Sequence, residues 1–388
     1  MIPILAVLTS CNNKVSDSTP QYLRGGNSLL ADGGNLIIAG YTSTSTRGFQ
    51  ATLVSFDPSV KGDTNWTHTY GGSYSDAFFC VKKSKDGYIA TGFSNAANGG
   101  APSMLVVFTD NTGKQLKALT YGGSANTQGI SLVQNADSGY LVAGFIQKSG
   151  SDRDAYLVRL KNDKGDTLWT KTIGAKGDPH SAVNDAAYGV IAAPGGGYFI
   201  TGALNSGYNM EGSKIFLMKI SAAGKNVWAE PKVYGSGFGY SLTLTRDGGV
   251  AISGSTINGS NQDVFLVKTD TAGNLFPGWA GPISYGGSGF EYGASMIETS
   301  DGGFAVTGIT ETVTNGLQDV YLVRTSSLGV KTYEKNFGES DNEQGYGLIQ
   351  SGTDFYITGL SNTGGSYIYL NKVDMNGGQV AGWPKLIQ

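Results

Sequence analysis

Short apolar stretches alternate with glycine-rich polar turns along most of the chain. Six of these stretches are unbroken runs of aliphatic and aromatic residues: Met104–Phe108, Ala155–Val158, Ile215–Met218, Val264–Val267, Val320–Val323 and Tyr367–Leu370. Runs this short, rich in β-branched and aromatic residues, are typical of strands that are covered on both faces. Asp-Gly pairs such as Asp301-Gly302 separate other strand-like stretches, and they favour hairpins because glycine tolerates positive φ. The pattern therefore predicts an all-β protein with many tight turns.

A small residue followed by glycine closes a strand-like stretch at regular intervals. The pairs are Ala39-Gly40, Thr91-Gly92, Ala143-Gly144, Thr201-Gly202, Ser253-Gly254, Thr307-Gly308 and Thr358-Gly359. Successive glycines lie 52, 52, 58, 52, 54 and 51 residues apart. A nearly fixed period of this length indicates a repeat architecture. We number the repeats as units 1 to 7 in chain order.

Each unit contains four strand-like pieces, which are clearest in unit 6. They are Glu291–Glu298, Phe304–Gly308, Asp319–Arg324 and a last piece that ends at Phe337. Four strands repeated seven times without helical segments predict a single seven-bladed β-propeller with four-stranded antiparallel blades over residues 22–388. A tandem array of β-sandwich domains is the alternative, although nothing that resembles a linker interrupts the repeats.

Two recurring features of the units concern packing. Small residues occupy every second position of the first strand, as Gly129 and Ser131 do in unit 3. Because they share one face of the strand, they would let the inner strands approach one another around the propeller axis. The last strand carries a large aromatic residue such as Trp66 or Trp169. Its regular recurrence favours packing between blades over a platform for a cofactor or a sugar.

Composition narrows the class of protein further. The 388 residues include 60 glycines, 11% are aromatic, 15% are charged, and the net charge is −3. The chain is too apolar and too aromatic to be disordered, and its glycines lack the three-residue period of collagen. No broad basic surface is expected to attract nucleic acid. No apolar run approaches the ~20 residues of a membrane-spanning helix.

The first eleven residues differ from the repeats. Leu8-Thr9-Ser10-Cys11 follows a short apolar run and resembles the lipobox of bacterial lipoproteins, in which signal peptidase cuts before a cysteine that carries lipid. The resemblance implies that residues 1–11 are a signal-like segment and that Cys11 is the lipidation site. A frayed apolar N-terminus is the alternative. Residues 12–21 are polar and predict a flexible tether, and Cys80 lies in an apolar run that predicts a buried, unpaired thiol.

Longer motifs recur at corresponding places in the units. They include Tyr70-Gly-Gly-Ser73, Tyr121-Gly-Gly-Ser124, Tyr285-Gly-Gly-Ser288, Asp301-Gly-Gly-Phe304 and Asp319-Val-Tyr-Leu-Val-Arg324. These motifs resemble a family of bacterial propeller repeats, and the resemblance covers nearly all of residues 22–388. It implies a propeller in a secreted or lipid-anchored outer-membrane protein of the Bacteroidetes type, at the cell surface or the periplasmic face. It implies no particular activity.

Residues suited to catalysis are few. The two histidines are His68, on an outer strand, and His180, in the longest loop between units, Gly174–Asp185. That loop brings together Asp178, His180, Asn184 and Asp185, and its Asp and His side chains are suited to acid–base or metal chemistry. A surface loop without function is the alternative. The sequence contains no paired-histidine zinc motif, nucleophile elbow, phosphate-binding loop or metal-binding cysteine set. We therefore expect neither a cofactor nor a metal.

The mouth of the predicted central channel is the expected binding site, because loops on a rigid scaffold meet there. The candidate ligand-binding residues are Asp76, Gln128, Asp178, His180, Asp185, Phe238, Tyr292 and Gln344. Loops rich in Asn, Ser and Gly suit hydrogen bonding to a glycan or a protein.

These features predict a cell-envelope lipoprotein that binds a protein or glycan partner without turnover. It would touch the membrane only through its lipid anchor and would bind no nucleic acid. Two alternatives stay open. One is a propeller enzyme that acts on polysaccharide as a hydrolase or lyase, and the other is an accessory subunit of an outer-membrane transport or secretion complex.

Overall fold

A computed structural model describes residues 24–44, 47–59, 63–72, 74–95, 100–149, 152–174, 184–206, 212–259, 261–312 and 317–388. These residues form 27 β-strands and contain no helix, which confirms the all-β prediction. It follows that no helix long and apolar enough to cross a membrane occurs in these ranges.

The strands follow the repeat units in groups of four. Units 1 to 3 contain β1 (Arg24–Asp32), β2 (Asn35–Thr44), β3 (Arg47–Phe56) and β4 (Thr64–Tyr70); β5 (Asp76–Lys83), β6 (Gly87–Asn95), β7 (Pro102–Asp110) and β8 (Gln115–Tyr121); and β9 (Asn126–Gln134), β10 (Tyr140–Ser149), β11 (Asp152–Leu160) and β12 (Thr167–Ile173). Units 4 and 5 contain β13 (Asn184–Ala192), β14 (Tyr198–Ser206), β15 (Lys214–Ile220), β16 (Lys232–Leu244), β17 (Val250–Asn258), β18 (Asn261–Thr269) and β19 (Ile283–Tyr285). Units 6 and 7 contain β20 (Glu291–Glu298), β21 (Phe304–Thr310), β22 (Asp319–Thr325) and β23 (Lys331–Phe337); and β24 (Glu343–Ser351), β25 (Asp354–Ser361), β26 (Tyr367–Asp374) and β27 (Lys385–Ile387).

Consecutive strands of a unit pair antiparallel, and units 1, 2, 6 and 7 are separate four-stranded sheets. Units 3 to 5 instead join into one 11-stranded sheet, which differs from the separate blades predicted there. The long strand β16 pairs with β15 through residues 232–236 and with β17 through residues 237–244. It therefore ends unit 4 and begins unit 5. A single parallel bridge between Arg153 of β11 and Asn184 of β13 connects unit 3 to unit 4.

The continuity of β16 has a simple cause in chain length. Three residues separate Tyr234 from Phe238, whereas six separate the corresponding Tyr285 from Tyr292. The shorter connection leaves no residues for a loop between the fourth strand of one unit and the first strand of the next.

The first strands of the units contact one another in a closed cycle. Strands β1, β5, β9, β13, β16, β20 and β24 each contact the next in this order, and β24 contacts β1 again. The backbone N–H of Arg24 donates to Ser366 Oγ at 2.9 Å, which joins the first unit to the last. Strand β27 completes unit 7 by pairing with β26. Within the described residues, the ring is thus closed by packing and hydrogen bonding, without a strand shared between the chain ends.

In units 1 to 6, an aromatic side chain from the fourth strand or the segment preceding it donates a hydrogen bond to the next unit. Its acceptor is a carbonyl in the turn between the third and fourth strands. The donor and acceptor pairs are Tyr70 and Gly113, Tyr121 and Gly165, Trp169 and Ala222, Tyr234 and Gly273, Tyr285 and Gly329, and Tyr333 and Met375. From unit 7, Trp383 packs edge-on against Phe56 of unit 1 with ring centroids 6.0 Å apart. The recurring aromatic residues therefore pack between units, as predicted.

Buried cations at the ends of third strands pair with aspartates in the turn between the first two strands of the same unit. The pairs include Arg159 with Asp137, Lys268 with Asp247, and Arg324 with Asp301. These cations are 2–4% exposed. They stabilise the aspartate-containing turns that the sequence repeats, and their role is structural.

Candidate functional site

A β-bulge interrupts the first strand of every unit at the same place. The bulged residues, which have no partner in the second strand, are Asn27, Phe79, Ile130, Tyr188, Tyr240, Ala294 and Tyr346. A bulge leaves its extra residue unpaired and bends the strand.

One hydrophobic cluster, which we call the shaft cluster, draws side chains from all seven units. Its larger members are Tyr41, Phe79, Phe93, Ile130, Phe145, Tyr188, Phe238, Tyr240, Tyr292, Ile309, Tyr346 and Leu360. The rings of Phe238 and Tyr240 stack with centroids 5.8 Å apart, and Tyr240 meets Tyr292 edge-on at the same distance. Aromatic side chains therefore fill the centre of the ring at this level.

The small residues that flank each bulge face the neighbouring unit rather than the shaft. A Cβ atom added to Gly129 would lie 2.2 Å from Thr91 Oγ1, and one added to Gly239 would lie 2.3 Å from Thr201 Oγ1. Both threonines belong to the second strand of the preceding unit. The small residues thus allow adjacent units to approach closely, while the bulged residue between them enters the shaft.

Four of the predicted site residues lie at equivalent positions, two residues before the bulge. They are Gln128, Phe238, Tyr292 and Gln344, all no more than 7% exposed. Their partners in the second strands are Phe145, Ser255, Ile309 and Leu360. The first and third strands begin at this end of the ring, which we call the mouth. These four residues therefore form the floor beneath the mouth.

Asp76 lies one residue earlier in its strand and faces the opposite side. It is fully buried, and its Oδ2 accepts the backbone N–H of Gly72 at 2.9 Å. Glu291 and Glu343 occupy the same position in units 6 and 7, and each accepts the N–H of the residue four before it. These carboxylates hold the connection between units. Burial raises the pKa of Asp76 above its usual value.

Asp185 is the equivalent residue of unit 4 and is 1% exposed. A Cβ on Gly174 would lie 3.3 Å from Asp185 Oδ2 and 2.3 Å from Asp154 Oδ1. Both carboxylates therefore face the joint between units 3 and 4. Asp178 and His180, the other predicted residues of this loop, lie outside the described residues, as does Cys11.

Arg153 is a site residue that the sequence does not single out. It opposes Gln147 of β10, which in turn opposes Asn126 of β9. This row lies two residues closer to the mouth than Gln128 and Phe145, so its side chains share their shaft-facing side. The guanidinium carbon of Arg153 lies 4.7 Å from the centroid of the Phe145 ring.

The tyrosines of the shaft are suited to donating hydrogen bonds. Burial raises the pKa of Tyr188, Tyr240 and Tyr292 above the usual value of 10.0. Their hydroxyls therefore stay protonated at neutral pH, and none of them is suited to act as a general base, which needs a pKa near the working pH.

A cavity of about 340 Å³ lies outside the shaft, beside the connection between units 5 and 6. Its lining includes Glu291, Thr310, Thr312, Tyr321, Glu334 and Asn336. These groups already bind one another: Thr310 donates to Glu291, Tyr321 donates to Glu334, and Asn336 donates to the Thr312 carbonyl.

Three other side chains that could have chemical roles, those of Asp270, His68 and Cys80, lie in structural environments. The carboxylate of Asp270 accepts the backbone N–H groups of Ala272 and Asn274 in its turn, and no group of three metal-ligating side chains occurs in the described ranges. His68 is exposed on β4, with its Nε2 3.1 Å from the Thr112 carbonyl oxygen. Cys80 is buried and unpaired, as predicted.

Comparison of the sequence with models of protein families found no match. Comparison with curated protein sequences found none either.

Solved structures match the fold over nearly the whole chain. A polysaccharide lyase, an ulvan lyase bound to a saccharide of GlcA and Rha3S, has a TM-score of 0.59 at 10% identity and covers 93% of this chain and 96% of its own. The WD40 domain of Pan2 from Neurospora crassa has a TM-score of 0.52 at 9% identity and covers 96% and 99%. Sqt1 from Chaetomium thermophilum, bound to the N-terminus of ribosomal protein L10, has a TM-score of 0.51 at 10% identity and covers 93% and 86%. The protein has the β-propeller fold that these structures share.

Proposed function

We propose that the protein is a seven-bladed propeller that binds a protein or glycan partner at the mouth of its shaft, without chemical turnover. We further propose that residues 22–388 form this one domain and that lipid on Cys11 holds it at the bacterial outer membrane, as in Bacteroidetes-type propeller lipoproteins. The observation that carries the binding function is the shaft cluster, to which all seven units contribute.

The equivalence of the units supports the proposal of seven blades. Each first strand has its bulge at the same place, and the contacts of these strands return to β1 after β24. The shared strand β16 divides at residues 236 and 237 between two sets of pairings. With β16 divided in this way, the seven groups of four strands are consistent with one blade for each unit.

The filled shaft supports binding at the mouth over binding within the channel. Aromatic rings occupy the centre, so a partner rests on the floor formed by Gln128, Phe238, Tyr292 and Gln344. The ends of the second and fourth strands and the starts of the first and third strands lie at the same end of the ring as that floor. Among the structural neighbours, the ulvan lyase is bound to a saccharide and Sqt1 to a protein segment. The two ligand classes we propose are thus ones that this fold accommodates.

Binding without turnover is favoured by the protonation of the tyrosines and the orientation of the carboxylate near the floor. The shaft tyrosines are held protonated by burial, and the carboxylate of Asp76 faces away from the shaft and binds the Gly72 N–H. Neither arrangement provides a general base or nucleophile directed at a ligand on the floor.

The test is partner capture by the full chain. We expect the double variant Gln128→Leu, Tyr292→Phe to lose capture of the glycan or protein that the wild type retains from gently extracted membranes. The matched control is Lys85→Gln, in an exposed turn at the opposite end of unit 2; it should capture normally. Thermal unfolding of all three proteins checks that they fold.

Release of sugars from a polysaccharide, abolished by Asp185→Ala or His180→Ala, would instead establish the enzyme alternative. Recovery of the protein in a stable transport or secretion complex, unaffected by the double variant, would establish the accessory-subunit alternative.

A further inference from the structure

Arg153 is a partly buried cation without a counter-charge in the part of the chain that the structure describes. Its guanidinium makes no hydrogen bond or ion pair with any residue in the described ranges, and its Nε is buried without a partner there. The guanidinium lies over the face of Phe145 and interacts electrostatically with the buried Tyr188. A guanidinium stays charged at all physiological pH values and has five N–H donors. A partly buried one without acceptors is therefore a site prepared for an anion.

The nearby carboxylates do not neutralise Arg153. Asp154 forms an ion pair with Lys148, and both Asp154 and Asp185 approach Gly174 in the joint between units 3 and 4. Residues next to one another in a strand face opposite sides, so the side chain of Asp154 lies across β11 from that of Arg153. The shaft-facing side of the row formed by residues 126, 147 and 153 therefore retains its positive charge.

We propose that Arg153 is the centre of a carboxylate-binding site at the mouth of the shaft and that its ligand is a hexuronate unit of an acidic glycan. The proposal rests on the binding function proposed above and specifies its ligand.

Three features of this row and of the rings beneath it match a hexuronate. Arginine binds a carboxylate through two parallel N–H···O bonds, and its contact with Phe145 limits the orientations of the guanidinium plane. The Oδ1 of Asn126, in the same row, is buried without a hydrogen-bond partner among the described residues and is an acceptor for a sugar hydroxyl. The aromatic rings below the row are buried in the shaft cluster and form an apolar base beneath a bound sugar ring. A neutral sugar would leave Arg153 unpaired.

The experiment measures binding of defined oligosaccharides to the full chain by calorimetry. The probes are tetrasaccharides of galacturonate, glucuronate and mannuronate, with a neutral glucose tetrasaccharide and its sulfated form for comparison. We expect the wild type to prefer a uronate over the neutral probe, and Arg153→Gln to weaken uronate binding about 10- to 100-fold, the range for a charge-assisted hydrogen bond. Arg153→Lys should bind between the two, because it keeps the charge and loses the planar fork.

Two controls isolate the effect. Lys85→Gln removes one positive charge at the far end of unit 2 and should bind uronate like the wild type. Weak binding of the neutral probe should be the same in all variants. If Arg153→Gln fails to fold, protection of Arg153 from phenylglyoxal by uronate in the wild type gives the same information.

The outcomes separate this inference from the function it rests on. Equal uronate binding by wild type and Arg153→Gln, or no uronate binding by a wild type that captures a neutral glycan, overturns the inference alone. Preference for the sulfated probe, or for a peptide with a free over an amidated C-terminus, overturns the hexuronate assignment. Capture of no glycan or protein by the wild type overturns the proposed function itself.

Discussion

The hydroxyl of Tyr285 in unit 5 donates a hydrogen bond to the carbonyl oxygen of Gly329 in unit 6 at 2.5 Å. Five other joints have an equivalent bond, so this contact is one of six hydrogen bonds that connect neighbouring units in the same way. Each copy makes an outer-strand aromatic residue part of the packing of the next unit. Stability of the ring therefore depends on contacts far from the proposed binding site.

We expect Tyr285→Phe to lower the free energy of unfolding by ~1 kcal/mol, because it removes one buried hydrogen bond and leaves the Gly329 carbonyl unpaired. Chemical denaturation measures the change. Tyr74→Phe is the control, since that side chain is 41% exposed in a loop at the mouth, and its stability should match the wild type. An equal loss in both variants would show that the joint bond contributes nothing specific.

Gly329→Ala should be more destabilising than Gly302→Ala. Both glycines have positive φ, +77° and +88°, which costs a residue with a side chain about 1–2 kcal/mol. An added Cβ at Gly329 would also lie 2.8 Å from the Trp279 ring and 2.5 Å from Ile283, whereas one at Gly302 would meet nothing within 4 Å. Overpacking adds about 1–3 kcal/mol. Equal melting temperatures for the two variants would contradict the close packing of this joint.

Trp383→Ala should weaken the closure of the ring. Its ring meets Phe56 of unit 1 at 6.0 Å and Tyr356 of unit 7 at 5.8 Å between centroids. Loss of a partly buried aromatic side chain should lower the free energy of unfolding by about 2 kcal/mol. Limited proteolysis should then cut first within units 1 and 7. Cleavage that starts in the middle units would show that closure does not depend on this contact.

Asp76→Asn should change the pH dependence of stability. Burial raises the pKa of Asp76 in the folded protein, so the native state binds this proton more tightly than the unfolded chain. The resulting stabilisation is complete below the unfolded pKa of ~3.9 and is lost as the pH rises through the folded pKa. Relative to the wild type, the free energy of unfolding of Asp76→Asn should therefore increase with pH across this window and become constant above it. A constant difference at all pH values would exclude the shift.

Lipidation predicts different behaviour for the two cysteines. In a Gram-negative host, Cys11→Ser should abolish incorporation of labelled palmitate and move the protein out of the membrane fraction. Cys80→Ser should keep both properties, because that thiol is buried in the propeller. Palmitate labelling of Cys11→Ser equal to the wild type would reject the anchor.

Much of the fold could be predicted from the sequence, because the glycine period and the apolar third strands repeat with little variation. The bulges were not, since Phe79, Ile130 and Ala294 share no residue type that marks the position. The fusion of units 4 and 5 was missed because the connection from Tyr234 to Phe238 is short while the overall period is kept.

The candidate site was predicted less well. Asp76 and Gln128 were predicted together at the channel mouth, yet a difference of one residue in their positions relative to the bulge places their side chains on opposite faces of the first strand. Arg153 could be located only from the pairing of β9, β10 and β11, which brings residues 126, 147 and 153 into one row. A lone arginine in a loop-like stretch has no signature in the sequence.

The joint between units 1 and 7, where Arg24 binds Ser366, is called the seam here. It has a consequence for where the chain can be opened. Each terminal unit supplies its own four strands, so the seam resembles the other joints except that no peptide link crosses it. A circular permutant that links the present ends and opens between units 1 and 2 would preserve every sheet. The geometry of the ring is then set by the contacts between units and not by the order in which the units follow one another along the chain.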